Sequence, residues 1–151
     1  MTQPSFFVGI DVAKAKFDAA LLIPEGKYRS KAFPNNPVGH QQLVDWLNQH
    51  EALEAHLCME ATGAYERGLV RFLAQQQLLV SVVNPAQIHA FGKTELTRAK
   101  TDKADARLIA RYCRMHRPAL GCRRPRRSSS SRPWCNVWRT FWPCKPWRTT
   151  A

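Results

Sequence analysis

A nearly unbroken apolar run, FFVGIDV at residues 6–12, opens the chain and carries Asp11 close to its end. Apolar runs of this kind are typical of a central strand that is covered on both faces of a sheet. Residues 16–23 and 27–33 follow on either side of the turn sequence Pro24-Glu25-Gly26, and they predict an antiparallel hairpin. The first part of the chain therefore predicts three consecutive strands.

Strand and helix patterns alternate through the rest of the chain. The predicted elements are helices over residues 37–50, 63–77 and 85–91 and from residue 101 or 102 to 115, and strands over residues 55–59 and 78–83. Residues 92–100 are predicted to form a polar, basic loop. The order βββαβαβα, in which parallel crossovers follow an antiparallel start, predicts an α/β fold with a mixed five-stranded sheet and helices on both faces. In such sheets the chemistry collects at the carboxyl ends of the parallel strands.

Carboxylates occur where the predicted elements meet. Asp11 and Glu60 each end an apolar strand-like run, while Asp102 and Asp105 stand three residues apart at the start of the last helix. Gathered in one site, such acids would repel each other, by about 4 kcal/mol for a pair about 4 Å apart at an effective dielectric near 20. Carboxylate oxygens are the ligands that Mg²⁺ prefers. The four acids together predict a metal-dependent phosphoryl-transfer site.

Each acid also has an ordinary structural explanation. Asp11 could be a turn or cap residue, and Glu60 could belong to a strand-to-helix turn. Asp102 suits the first turn of a helix because of the helix dipole, with Thr101 as its N-cap. Asp105 is different, because it shares a helix face with apolar residues that should dock on the sheet, and a carboxylate facing a core is costly unless it is paired or metal-bound.

Positive charge is concentrated in the carboxyl-terminal part of the chain. Residues 1–105 hold all 11 acids and an equal number of Lys and Arg, so the whole net charge of +12 lies in residues 106–151. A neutral body with a basic end suggests a nucleic-acid partner, although a charge run is equally consistent with a solvated tail. The candidate phosphate-binding residues, which could also form a plain solvent-exposed face, are Lys14, Lys16, Arg98, Lys100, Lys103, Arg107, Arg111 and Arg114.

Targeting signals, apolar segments and cysteine spacing bear on where the protein is located. We expect no signal peptide, because no basic region precedes an apolar segment, and no membrane helix, because no apolar run approaches ~20 residues. The five Cys include no Cys-x-x-Cys pair, which argues against a disulfide framework and a zinc knuckle. The expected location is cytoplasmic, in association with the nucleoid.

Three sequence blocks resemble a known family. They are FVGIDVAK at residues 7–14, MEATG at 59–63 and KTDKADA at 100–106. In this order and character they resemble the insertion-sequence transposases with a DEDD tetrad, whose amino-terminal domain is similar to the RuvC Holliday-junction resolvase within the ribonuclease H-like superfold. The resemblance covers roughly residues 5–120.

The resemblance implies a specific reaction and specific partners. It makes Asp11, Glu60, Asp102 and Asp105 the catalytic tetrad that binds Mg²⁺, with two ions in such sites about 3.5–4 Å apart. It implies a transposase that cleaves and transfers DNA strands, acting on insertion-sequence ends and target DNA. A guide RNA, assembly into homo-oligomers and a second domain that supplies a nucleophilic serine are further properties of that family.

Residues 121–151 depart from the family pattern. They contain seven Arg, four Trp and the run Ser128–Ser131, but no Leu, Ile or acid. We therefore expect a catalytic domain over residues 1–120 and a disordered basic tail over 121–151, which is interpreted as a frameshift product; basic–aromatic binding of nucleic acid is the alternative.

Two other functions fit parts of the sequence. The chain could be an incomplete remnant that binds nucleic acid without turnover. An actin-like or sugar-kinase ATP site also begins with a strand that ends in Asp, but those sites need glycine-rich phosphate loops. Ala13 stands where such a loop would place a glycine after Asp11, which makes an ATP site the weaker interpretation.

Overall fold

A computed structural model describes residues 5–61, 63–94 and 102–120, without the side chains of residues 102–104. The strands are β1 (Phe7–Val12), β2 (Lys16–Leu22), β3 (Tyr28–Pro34), β4 (His56–Glu60) and β5 (Leu79–Val83). The helices are α1 (Pro37–Gln49), α2 (Arg67–Gln75), α3 (Pro85–Thr94) and α4 (Asp102–His116).

The five strands form one sheet in the order β3-β2-β1-β4-β5. β2 pairs antiparallel with both β1 and β3, whereas β4 pairs parallel with both β1 and β5. Gly26, at φ 82°, makes the hairpin turn that the sequence predicts. The α/β class, the mixed five-stranded sheet and the position of β1 at its centre are confirmed.

Alternation along β1 divides the core into two layers. Val8, Ile10 and Val12 pack with α1 and α2 on one face of the sheet, in a cluster that includes Leu43 and Leu69. The alternate residues of β1 face the opposite layer, which contains α3 and α4. Both faces are therefore covered, which is why the β1 sequence is apolar almost throughout.

Helix α4 approaches the sheet most closely at Gly9. A Cβ atom at this position would fall on the backbone oxygen of Ala106 and the backbone nitrogen of Ala110. Both alanines are fully buried, so short side chains on the helix and a glycine on the strand allow the two backbones to touch. Because Asp105 precedes Ala106, this contact fixes the position of Asp105 relative to Asp11, two residues after Gly9.

Two predicted boundaries were wrong by several residues. Helix α2 begins at Arg67 rather than residue 63, because Gly63 adopts φ 102° and the chain turns before the helix starts. Tyr65, which falls within the predicted helix, lies before the observed one and is 47% exposed. Helix α3 continues to Thr94, so residues 92–94 are helical rather than part of the predicted loop.

Some expectations concern parts of the chain outside the described residues. These are the loop over residues 95–100, the N-cap role of Thr101 and the disordered tail over 121–151. Within the described ranges, no helix is long and apolar enough to cross a membrane.

Candidate functional site

The carboxyl ends of β1 and β4 place two of the predicted acids side by side. The parallel pairing of these strands runs to Ile10 opposite Met59, and Asp11 and Glu60 are the next residue on each strand. Neighbouring strands lie about 4.8 Å apart. Since Gly9 and Cys58, two residues earlier, face α4, alternation directs Asp11 and Glu60 to that same face.

Helix α4 adds a third carboxylate from above the sheet. Burial raises the pKa of the Glu60 carboxyl, the positive charge of His89 opposes that rise, and the negative charge of Asp105 adds to it. The negative charge of Asp105 therefore acts on Glu60 from the α4 side of the sheet. Asp11, Glu60 and Asp105 are all partly buried. Residues about 50 positions apart in sequence are thus brought to one edge of the sheet.

The fourth predicted acid, Asp102, is the first residue of α4 and lies one turn before Asp105. Its side chain is outside the description, as is that of Lys103. Among the side chains that the structure does describe, no three His, Cys, Asp or Glu residues are arranged to hold a metal ion together. Asp11, Glu60 and Asp105 lie at the same edge of the sheet, but their described side chains do not form a cluster of metal ligands.

The chemistry of these side chains nevertheless fits Mg²⁺, whose preferred ligands are carboxylate oxygens. A half-buried Glu60 whose pKa is raised by burial and by Asp105 is poorly suited to carry its charge alone. A divalent cation would reverse both effects, because its positive charge stabilises ionised carboxylates.

A further carboxylate, Asp18, was missed in the sequence. It lies on β2 directly opposite Asp11, and only 7% of it is exposed. Lys16 Nζ lies 3.3 Å from Asp18 Oδ2, so the lysine that was predicted to bind phosphate is held by a buried carboxylate on the same face. The sequence did offer a sign, because alternation in β2 puts Asp18 on the side of Leu22, which packs in the α4 layer.

Asn35 holds together the loops that follow the two strand-end acids. Its Nδ2 donates to the carbonyl of Ala13, after β1, at 3.0 Å and to that of Tyr65, after β4, at 3.1 Å. The Oδ1 of Asn35 lies 3.1 Å from Nε2 of His40, whose pKa is lowered by burial. Nothing in the spacing of the sequence indicated this link, which joins residues up to 30 positions apart.

The predicted basic residues occupy several places. Arg107, Arg111 and Arg114 are exposed on α4, and Lys14 is exposed in the turn between β1 and β2. Arg98 and Lys100 lie outside the described residues. The guanidinium of Arg107 stands 5.6 Å from the centre of the Tyr28 ring. His89, an exposed residue of α3 whose charge reaches Glu60, was not predicted.

A mixed sheet of this order, with acids at the ends of β1 and β4 and on a helix across them, defines a ribonuclease H-like domain of the RuvC kind. The fold is similar to Thermus thermophilus RuvC, both in a complex with a Holliday junction substrate and in a second structure of that protein. The TM-scores are 0.51 and 0.50 at 16% and 17% sequence identity. The likeness covers 73% and 74% of this chain and 95% and 96% of the RuvC chains.

The sequence identifies the family within that fold. Residues 8–130 match the DEDD transposase family of IS110 type, and the chain belongs to that family. Pilin gene-inverting proteins of Moraxella lacunata and Moraxella bovis are each 40% identical to it over 116 residues. That alignment covers 76% of this chain and 36% of each relative, so the chain spans about a third of the length of the relatives it matches.

Proposed function

We propose that this chain is the catalytic domain of a transposase that cleaves and transfers DNA strands with the help of Mg²⁺. The observation that carries the proposal is the placement of Asp11 and Glu60 at adjacent strand ends of a RuvC-like sheet, with Asp105 of α4 raising the pKa of Glu60. Membership of the IS110-type transposase family supports DNA as the substrate.

The residues proposed to hold magnesium are Asp11, Glu60 and Asp105, together with Asp102 at the start of α4. When bound, a pair of such ions activates the attacking oxygen and stabilises the leaving oxygen of a phosphodiester. Glu60 would keep its charge in that environment in spite of burial and of Asp105. Gly9 has a positioning role, since it allows α4 to bring Asp105 down to the sheet.

Lys16 is proposed to contact the phosphate of the substrate. It is half-exposed, with 52% of its side chain accessible, and Asp18 fixes it on the face that carries Asp11. An ammonium group held beside the carboxylates can donate charge-assisted hydrogen bonds to a phosphate. Asp18 therefore acts through Lys16 as a positioning residue.

The complete transposition reaction is proposed to need more than this domain. The chain spans 36% of the pilin gene-inverting proteins, and the resemblance implies a second domain with a nucleophilic serine. Insertion-sequence ends, target DNA, a guide RNA and further copies of the protein are proposed partners of the complete enzyme, in the cytoplasm.

One observation favours a second candidate function. Among the described side chains, no three His, Cys, Asp or Glu residues are arranged to hold a metal ion together. The same arrangement is expected of a protein that only binds nucleic acid. Such a remnant would bind DNA but would not cleave it at any Mg²⁺ concentration.

Cleavage of a labelled branched DNA by the full chain, with Mg²⁺ or with EDTA, separates the two functions. We expect cleavage that depends on Mg²⁺ and that falls at least about 100-fold in Asp105→Asn, since the change replaces an anionic Mg²⁺ ligand with a neutral amide. Asp45→Asn is the matched control, because Asp45 is exposed on α1 and accepts a hydrogen bond from Gln41 at 3.0 Å. Equal cleavage by both variants, or binding without cleavage by the unmodified chain, would reject the catalytic proposal.

A further inference from the structure

A groove runs along α4 on the side of the sheet edge. Tyr28, Ser30 and Ala32 of β3 alternate with Phe33, which is buried in the opposite layer, so these three residues face the side of α4. Ser30 and Ala32 are exposed, and Tyr28 is partly buried. The floor of the groove is therefore made of short side chains, with an aromatic ring at one end.

The wall of the groove is strongly basic. Arg107, Arg111 and Arg114 follow each other at helical intervals of four and three residues and share one stripe of α4. Arg107 lies over the Tyr28 ring, while Arg111 and Arg114 line a cavity of about 410 Å³ together with Leu22, Gly26 and Tyr28. The acid on the nearby turn, Glu25, has Lys27 Nζ at 4.0 Å, so its charge is partly offset.

The other end of the groove reaches the carboxylates. Across the sheet, Ala32 pairs with Asp18, and Asp18 pairs with Asp11. Along α4, a rise of about 1.5 Å per residue puts Arg107, Arg111 and Arg114 about 3, 9 and 14 Å from Asp105 along the helix axis. At about 3.4 Å per nucleotide along a strand, that distance corresponds to about four nucleotides.

We propose that this groove binds the DNA strand that leads away from the cleaved phosphodiester, with the backbone along the arginines and a base against Tyr28. A polyanion complements a wall of three guanidinium groups, and short floor residues leave room for a sugar-phosphate chain. Tyr28 supplies an aromatic ring at the end of the groove, beside Arg107, and stacking on such a ring is tolerant of base identity. The inference that the bound strand leads to the carboxylates rests on the proposed function, whereas the inference that DNA binds in the groove does not.

The test measures binding of a fluorescent single-stranded oligodeoxynucleotide by the full chain in EDTA, over a range of salt concentrations. The double variant Arg111→Ala/Arg114→Ala should bind at least about tenfold more weakly and reduce the slope of log K against log salt by about 1.4, at 0.7 for each lost phosphate contact. Tyr28→Leu should weaken binding about fivefold or more and leave that slope unchanged, because stacking releases no counterions.

Arg71→Ala is the matched control, because Arg71 is an exposed arginine of α2 on the opposite face of the sheet. All variants keep the basic residues 121–151, so any binding by that segment is common to them. Thermal denaturation of each variant checks that it is folded. Equal losses in Arg71→Ala and in the double variant would overturn the groove, and so would a loss seen with the RNA version of the oligonucleotide but not with DNA.

Failure of the groove is distinguishable from failure of the catalytic proposal. Asp105→Asn should lose cleavage and keep binding, whereas the double variant should lose binding. If Asp105→Asn abolishes cleavage while the double variant binds normally, the catalytic proposal stands and the groove is rejected.

Discussion

Polar side chains are arranged differently at the two ends of the sheet. At the carboxyl end, Asp105 adds its negative charge to a Glu60 that is already penalised by burial. At the amino end, His56 Nε2 lies 2.7 Å from Ser81 Oγ, and both residues are buried. The carboxyl end brings two carboxylates together, as the proposed magnesium site requires, whereas the amino end pairs neutral donors with acceptors.

The amino-end network also fixes the chain beyond α4. Ser81 Oγ lies 3.1 Å from the carbonyl of Pro118 and 2.9 Å from that of Ala119, so its hydroxyl donates to this segment and accepts from His56. Burial and the charge of Arg117 both lower the pKa of His56, which favours the neutral ring. The thiol of Cys113 donates to the His56 carbonyl at 3.6 Å. This end therefore anchors α4 to the sheet at its last turn.

The largest effect is expected where the helix touches the sheet. Gly9→Ala puts a methyl group on the backbone of Ala106 and Ala110, and overpacking of this kind should cost about 3 kcal/mol or more in the free energy of unfolding. Urea denaturation measures the loss. Gly68→Ala is the control, since its Cβ would meet His40 at an ordinary 3.6 Å and alanine is a better helix residue than glycine. Equal stabilities for the two variants would contradict the close packing of α4.

A smaller loss is expected at the amino end. Ser81→Ala leaves buried His56 Nε2 without its partner, which should cost about 1–3 kcal/mol. The change should leave Mg²⁺-dependent cleavage by the remaining folded protein unaltered, because the bonds of Ser81 are to His56, Pro118 and Ala119 and not to the acids. Ser30→Ala, at an exposed position of β3, should be neutral in urea denaturation. A loss of cleavage in a folded Ser81→Ala protein would contradict the claim that the two ends of the sheet have separate roles.

Asn35→Ala tests how the carboxyl end is held. Loss of the bonds to Ala13 and Tyr65 should cost about 1 kcal/mol of stability and lower the cleavage rate several-fold, because the loops after Asp11 and Glu60 are freed. Single-turnover cleavage and thermal denaturation measure the two effects. Asn48→Ala, at an exposed position of α1, is the matched control. Unchanged cleavage in Asn35→Ala would limit its role to stability.

The smallest expected effect is a gain in stability rather than a loss. The raised pKa of Glu60 means that the folded state disfavours its ionised form. The resulting loss in the free energy of unfolding is present above the folded pKa and is relieved as pH falls through it. Glu60→Gln should therefore raise Tm by a few degrees at pH 7.5 in EDTA. Glu54→Gln, at an exposed position, should not. Added Mg²⁺ should raise Tm of the unmodified chain more than that of Glu60→Gln, and a lower Tm for Glu60→Gln in EDTA would contradict the charge account.

Much of the fold was predictable because β1 is apolar on both faces and the hairpin turn contains Pro24 and Gly26. The grouping of Asp11 and Glu60 followed from the ends of two parallel strands, and the structure confirms the strand pairing. Asp18 was not predicted, because the prediction rested on acids at the ends of strands. Asp18 lies within β2, and cross-strand pairing places it opposite Asp11. The late start of α2 depends on the backbone of Gly63, which spacing alone does not reveal.

The most direct test is a crystal structure of the chain grown with Mn²⁺, whose anomalous scattering locates the ion. We expect an anomalous peak at the carboxyl edge of the sheet, with oxygens of Asp11, Glu60 and Asp105 about 2.0–2.3 Å from an ion. No peak there at saturating Mn²⁺, or a peak elsewhere with these carboxylates turned to different surfaces, would contradict a magnesium-dependent active site.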